Sequence, residues 1–376
     1  MPKSFELMDL EPHEQQLIEL IDPKAARFYL SPLDKGLSGA RTLLVRWSID
    51  GHLRSAQHVA KIGIARKIER EFRAVKGIRP LLPRLGAMRM LPGKTVSSEH
   101  RLLLQEYAGG HTTVPVSLRQ WLGNFAPGVA PTQRPTVQSA GRLVHRIFSS
   151  SLKEVHFQAP SNYMSKGQNY GKALDWWLGK GGDLSGSSVY SDLLLLSARF
   201  SARGLPAAKQ IAEFVAALAE EKDTFSYGYI HGDLHTQNVL VDPDQNVNLI
   251  DFAWAAKKWR AIDFIMMECS LKFVCSPFDA DTNDLFEMEK LIDDDVSDQV
   301  LDSWSKKAPF GCEMVPAAGA VIACRRLALE CGAASSLQQY RKGLVLMTSA
   351  LATRPGLNRL FLLYSLAEQC RLCMEH

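Results

Sequence analysis

Residues 229–255 read YIHGDLHTQNVLVDPDQNVNLIDFAWA, from Tyr229 to Ala255, and the reading of the whole chain turns on them. An apolar lead-in runs into His231-Gly232-Asp233, and Asn238 opens a short strand. The set Asp242-Pro243-Asp244-Gln245-Asn246 is turn chemistry, and a second strand follows it and ends at Asp251-Phe252. The spacing thus predicts a hairpin with an Asp, an Asn and a second Asp at its strand ends, where their side chains can converge. A carboxylate that accepts a hydroxyl proton, joined by an Asn and an Asp that hold Mg²⁺, is the set that phosphoryl transfer from ATP requires.

The rest of the chain allows this chemistry. A length of 376 residues is enough for one large core or two lobes. With 46% hydrophobic and 22% charged residues, the chain has the make-up of a globular protein, not a disordered one. A net charge of +4 is too small to point to nucleic acid. The start, MPKSFELMDLEPHEQQ, has no apolar signal core. No apolar run reaches the roughly 18 residues of a membrane span; Arg325-Arg326 and Arg354-Pro355 break the best candidates. The cysteines number seven, all at or after Cys269, in apolar contexts. They read as reduced core residues of a cytoplasmic protein. Cys370 and Cys373 have metal-like spacing but no partner pair follows, so zinc is not expected.

Upstream, residues 4–22 carry Leu7, Leu10, Leu17, Ile18 and Ile21 among acids, which predicts one amphipathic helix ended by Pro23. From Phe28 the pattern becomes strand, Gly/Ser turn, strand Thr42 to Ile49, an Asp50-Gly51 turn, and strand Gln57 to Ile62. Gly36, Ser38 and Gly39 would let backbone amides approach a phosphate, although the same residues also suit a plain hairpin turn. Lys61 shares a face with Val59. It either faces solvent or is buried with a partner. The helix ARKIEREFRAVKGI has Ile68, Phe72 and Val75 on one stripe. Glu71 flanks that stripe and is the preferred partner for Lys61, with Glu69 competing. The strand from His100 to Leu104 leads into QEYAGG, where the backbone of Glu106 and Ala108 could meet an adenine edge.

Beyond the connector, Val116 to Leu122, Gln138 to Ser149, Leu193 to Leu196 and Ala207 to Glu221 read as helices. Three more, Met314 to Leu329, Ser335 to Thr353 and Leu357 to Met374, close the chain. Lys257, Lys258 and Arg260 form a basic cluster that is either a solvated loop or a hold for an anionic substrate. Asp263 is an N-cap-type acid or a buried strut, and Glu268 is a buried-acid candidate. The segment 279–298 is acidic; DADTND lacks the Gly and Glu of a calcium loop, so a solvated acidic face is expected.

HGDLHTQNVL followed by LIDF resembles the aminoglycoside phosphotransferase and choline kinase branch of the protein-kinase-like fold. With GLSGA, HVAKIG, QEYAGG, IDFAWA and DFIMMECSLKF, the chain is most similar to bacterial phosphotransferase-family proteins of the ternary-complex-associated type. The resemblance spans Phe28 to Phe273. It implies an α+β, bilobal fold, with a small antiparallel-sheet N-lobe bearing one helix and a large, mainly helical C-lobe. Residues 1–24 would be an N-terminal helical extension, 25–108 the nucleotide-binding N-lobe, and 109–376 the C-lobe carrying the catalytic hairpin 229–255. The resemblance makes Asp233 the catalytic base and Asn238 and Asp251 the Mg²⁺ ligands. Lys61 would contact the α- and β-phosphates of ATP and pair with Glu71. His235 stands where protein kinases usually carry Lys, His231 would be structural, and Ala253 replaces the usual Gly after Asp251-Phe252.

Between Asp251 and Asp263 there is no room for a long activation segment, and a long stretch separates Gly110 from His231. Both features favour a small-molecule hydroxyl acceptor in an enclosed pocket. Two other readings stay open: a kinase that modifies a macromolecule, and a nucleotide-binding regulator with little turnover. Neither a nucleic-acid nor a membrane partner is expected, and the sequence leaves the oligomeric state open.

Overall fold

The computed structural model describes residues 4–6, 10–33, 40–53, 56–82, 85, 88–91, 99–107, 115–123, 135–158, 162–174, 184, 187–277, 280–307, 311–354 and 356–375. The class is α+β, with an antiparallel sheet in the N-terminal region and a mainly helical remainder. Two compact units share the chain. The first holds Met1–Trp121, His231–Asp233 and Gln237–Ala256; the second holds Leu122–Ile230, Leu234–Thr236 and Lys257–His376. By its contacts the hairpin therefore goes with the N-terminal sheet.

The sheet of the first unit contains β1 (Ser4–Glu6), β2 (Arg27–Pro32), β3 (Arg41–Ile49), β4 (His52–Leu53), β5 (Gln57–Ile64), β6 (Met88–Leu91) and β7 (His100–Tyr107). Its order is β1-β2-β3-β5-β7-β6, with β4 beside β3. All pairings are antiparallel except β1 with β2. Strand alternation sorts the side chains onto two faces. Leu43, Val45, Trp47, Ala60, Ile62, Leu102 and Leu104 join Leu17, Ile18 and Ile21 in one core. Leu44, Val59 and Tyr107 turn the other way and pack with Leu240 and Ile250 of the hairpin. Each such burial contributes about 1.5–3 kcal/mol, so the sheet and the hairpin are welded by an apolar seam.

The single helix expected over residues 4–22 is instead a strand, Ser4–Glu6, and a helix, Pro12–Glu19. Pro12 explains the late start, since proline suits a first helical turn and not an interior. Glu14 accepts the Glu11 N–H at 3.0 Å and caps that turn. The helix Ala65–Ile78 stands as its apolar stripe predicts. In the hairpin, Val239–Val241 pairs with Val247–Leu249 and with Val116–Ser117. That last strand takes the first residues of the helix expected from Val116, and only Leu118–Leu122 is helical. Asp242 builds the hairpin turn. Its Oδ1 accepts the Asn246 N–H at 2.8 Å, its Oδ2 accepts Asn246 Nδ2–H at 3.0 Å, and Gln245 takes φ 59°.

The second unit is mainly helical, and its helix Ala261–Phe273 is buried at every position. The three closing helices run Gly311–Glu330, Leu337–Leu351 and Arg359–Met374. A small three-stranded sheet of Tyr163–Asn169, Lys222–Ile230 and Ala256–Trp259, the first two antiparallel, was not expected from the sequence. The acidic segment also departs from expectation. It contains the helix Thr282–Asp293, whose Glu289 is fully buried and whose Asp293 meets Arg325 at 2.6 Å. Among the described residues, no helix is long and apolar enough to cross a membrane.

Candidate active site

Lys61 lies in mid-strand on β5, opposite Thr42 and Leu103. Only 7% of it is exposed. A lysine there must be paired, because removing an ammonium from water costs several kcal/mol. Its Nζ is 2.8 Å from Glu71 Oε2 and 2.6 Å from Asp251 Oδ1. Glu71 comes from the buried stripe of the helix Ala65–Ile78. Glu69, the competing candidate, is more exposed and instead faces Arg101 at 3.7 Å.

One cation serves two carboxylates, and the acid–base balance shows it. Burial disfavours charge on Lys61, but Glu71 and Asp251 outweigh it and raise the pKa. Burial pushes Glu71 up to about 7; Lys61 opposes this and Asp251 adds to it. Asp251 is lowered: burial works against the carboxylate, and Lys61 overcomes it. Asp251 is therefore the firmly ionised member, and Glu71 is the one that takes up a proton first.

Backbone shape holds the acids in place. Asp251 sits at φ 63°, in the left-handed region that favours glycine, at a cost of about 1–3 kcal/mol. The Ala253 amide hydrogen-bonds its carboxylate, and the Phe252 amide does the same for Glu71. His231 is fully buried, donates Nε2–H to the Ile250 carbonyl at 3.0 Å and accepts the Asp233 N–H on Nδ1 at 3.4 Å. One neutral tautomer satisfies both bonds. Gly232 has φ 84°, and a Cβ there would collide with the Trp254 carbonyl oxygen. The loop of Asp233 and the turn after Asp251 thus touch backbone to backbone. Asn238 donates Nδ2–H to the Asp233 carbonyl at 2.8 Å.

Lys61, Glu71, Asn238 and Asp251 line one cavity together with Gln105. Asn238 and Asp251 offer it an amide oxygen and a carboxylate, the hard oxygen donors that Mg²⁺ takes. The Asn238 amide nitrogen is already committed to Asp233, which fixes the amide's orientation. The donor set fits the ion. Asp233 is half-buried in the same unit.

Other predicted residues fall differently. Gly36, Ser38, Gly39 and Ala108 lie outside the described residues. Glu106 is exposed on β7, in register with His58. His235 is half-buried and groups with the helical unit, where its neighbour Thr236 donates N–H to Ser270 Oγ at 3.0 Å. Arg260 does not share the surroundings of Lys257. It is buried and bonded to Ser226 Oγ at 2.8 Å and the Cys331 carbonyl at 3.0 Å, while Lys257 lies over the Tyr229 ring at 5.2 Å. Asp263 is a buried strut, 3.1 Å from His156 Nε2. Gln105 was missed by the sequence reading. It is buried and donates Nε2–H to the Leu249 carbonyl at 3.0 Å, tying β7 to the hairpin. The available signal was one amide in an apolar run, two residues from Leu103 and so on the Lys61 face.

Residues 190–294 match the family described as Ternary complex associated domain 9. Maternal embryonic leucine zipper kinase of Xenopus laevis is 48% identical over 44 residues, which is 12% of this chain and 7% of that protein. The Xenopus tropicalis kinase of the same name matches to the same extent. This chain therefore spans less than a tenth of the curated relatives it matches. Among solved structures, an aminoglycoside phosphotransferase from Alicyclobacillus acidocaldarius is similar, with TM-score 0.43 and 13% identity, over 98% of this chain and 96% of that one. Choline kinase LicA from Streptococcus pneumoniae gives TM-score 0.40 and 10% identity over 96% and 98%. Spectinomycin phosphotransferase APH(9)-Ia, solved with ADP and spectinomycin, gives 0.32 and 12% over 96% and 97%.

Proposed function

We propose that this chain transfers the γ-phosphoryl group of ATP to a hydroxyl of a small molecule, with Mg²⁺. The observation that carries this reading is the bridge of Lys61 to Glu71 at 2.8 Å and to Asp251 at 2.6 Å, in the cavity that Asn238 also lines. Lys61 would orient the α- and β-phosphates, with Glu71 holding the ammonium in place. Asn238 and Asp251 would hold Mg²⁺, which when bound neutralises charge on the phosphates. Asp233 would align the acceptor hydroxyl and take its proton as the oxygen attacks phosphorus. Positioning and charge neutralisation account for most of such a reaction.

A small acceptor is supported by the short run after Asp251. Only a turn and the strand Ala256–Trp259 precede the helix Ala261–Phe273, which leaves no long segment to dock a peptide. The test is ADP formation from ATP and Mg²⁺ over a panel of hydroxyl compounds, compared between wild type and Asp233→Ala. The variant is expected to lose about 10²–10⁴-fold in rate. Turnover by Asp233→Ala at the wild-type rate would overturn the reading. Label appearing only in protein bands of a lysate would move the acceptor to a macromolecule.

A further inference from the structure

The helical unit holds a second cavity, of about 580 Å³, beside the helices Thr282–Asp293 and Arg359–Met374. One wall is aromatic: Phe286 and Tyr364 stack with ring centroids 3.7 Å apart, and the Arg203 guanidinium lies 3.9 Å over Phe286. Three arginines line the cavity, and they are not equally satisfied. Arg371 is closed, with Nε and Nη2 on Glu368 at 3.0 and 2.7 Å and Nη1 on Glu375 at 2.7 Å. Arg203 gives Nη2–H to Asn283 Oδ1 at 2.5 Å.

Arg341 is different. It is only 9% exposed, and its buried Nε has no hydrogen-bond partner among the described residues. The nearby carboxylate of Asp293 is 3.7 Å from Nη2, beyond hydrogen-bond reach. Asp293 is itself committed to Arg325 at 2.6 Å and to Gln369 at 2.9 Å. A nearly buried guanidinium whose nearest carboxylate is out of hydrogen-bond reach is costly, and an anion on its cavity side would offset that charge. The acids Glu287 and Asp294 are exposed, so they do not compete at the buried guanidinium.

We propose that this cavity binds a small organic anion, a carboxylate or phosphate monoester on a flat ring, with the charge on Arg341 and the ring at the edge of the stack that Phe286 and Tyr364 form. None of Lys61, Asp233, Asn238 or Asp251 lines it, so the site is separate from the phosphotransfer reading. A planar guanidinium suits both anions, since either can take two parallel N–H bonds.

The test is isothermal titration calorimetry on the full chain without nucleotide or Mg²⁺. Phenyl phosphate and benzoate serve as probes, with benzyl alcohol as the uncharged control. Saturable one-to-one binding of at least one anion is expected, and none of the alcohol. Arg341→Gln should weaken binding about tenfold or more. Arg203→Ala, at an exposed position and safe for folding, should weaken it about two- to fivefold. Lys61→Met should bind as wild type does. No saturable binding of either anion overturns the proposal, as does binding unchanged in Arg203→Ala and in any Arg341→Gln that folds. Loss of binding in Lys61→Met also overturns it, because the anion would then sit in the Lys61 cavity.

Discussion

Two lysines, one in each unit, lie between pairs of carboxylates, and the contrast between them separates chemistry from architecture. Lys61 Nζ sits 2.8 Å from Glu71 and 2.6 Å from Asp251, and the three residues line a cavity. Lys272 Nζ sits 2.6 Å from Glu289 and 3.6 Å from Glu268, donates to Ser365 Oγ at 2.7 Å, and is fully buried. Arg325 completes the second cluster, with Nε and Nη2 on Glu268 at 2.9 and 2.6 Å. Both lysines meet the same desolvation cost with the same remedy. What differs is access. The first cluster keeps an ionised carboxylate in left-handed backbone at a cavity wall; the second is packed shut between helices. Pairing makes a buried charge tolerable, and only an open side makes it usable.

The largest effect should come from exchanging each lysine for methionine. Lys272→Met takes the nearest cation from Glu289, whose carboxylate burial already disfavours and which then keeps Ser365 Oγ and Gln369 Nε2 as hydrogen-bond donors. The cost should be about 3–5 kcal/mol of stability, with activity per folded molecule unchanged. Lys61→Met should do the reverse. Phosphotransfer should fall about 10²–10³-fold, while Glu71 takes a proton and limits the stability loss. Urea unfolding and active-fraction-corrected rates distinguish the two. Equal destabilisation by both variants would break the comparison.

A double variant sharpens it. Lys272→Met with Glu289→Gln removes the charge that lost its nearest cation, so the pair should be more stable than Lys272→Met alone, with a coupling of about 1 kcal/mol or more. Additive losses in denaturant unfolding would mean that the ion pair is not what holds those helices.

The Lys61 cluster also carries a pH response that can be read. Glu71 rises from 4.5 to about 7, chiefly by burial. A carboxyl with a folded pKa above its unfolded one binds protons more tightly when folded. Its stabilising contribution is therefore full below about pH 4.5 and is lost as pH climbs to about 7. Asp251 is lowered, so its contribution is present above pH 3.8 and is lost on acidification below that, outside this window. The unfolding free energy of wild type minus that of Glu71→Gln should fall between pH 4.5 and 7 and level off above. A flat difference there would exonerate Glu71.

The same contrast explains what the sequence could reveal. Lys61 was legible only through order: alone in HVAKIG it has a solvent-facing alternative, and Asp233, Asn238 and Asp251 downstream give it a partner set. Glu289 belongs to no motif, and Lys272 lies in DFIMMECSLKF, a stretch that gave it no role. Helical spacing does put Glu289 beside Leu285, Met288 and Ile292, which are all buried, but acidic neighbours mask that stripe as a solvated face. The unexpected sheet of the helical unit was hidden because Tyr163–Asn169 has no clean alternation; its exposure runs nearly unbroken. Gln105 was hidden because its partner is a carbonyl, which leaves no trace in sequence.

The smallest expected effect tests whether the open cluster is braced from outside. Arg70, next to Glu71, lies over the Trp254 ring at 4.3 Å, and Trp254 is three residues past Asp251. This contact clips the Glu71 helix to the turn that sets Asp251. Both residues are exposed, so the contact should contribute about 0.5–1 kcal/mol. Arg70→Ala should therefore cost little stability. Because the helix and the turn carry the two carboxylates of Lys61, it should still lower turnover several-fold, and Arg70→Lys, which keeps the cation, should recover part of that loss. Lys272 has no such outer clip to lose, since its acids are held by buried partners on several helices. If Arg70→Ala left turnover unchanged while costing the same stability, the brace would be a surface contact only, and the geometry at Lys61 would rest on the backbone of Asp251 and Phe252 alone.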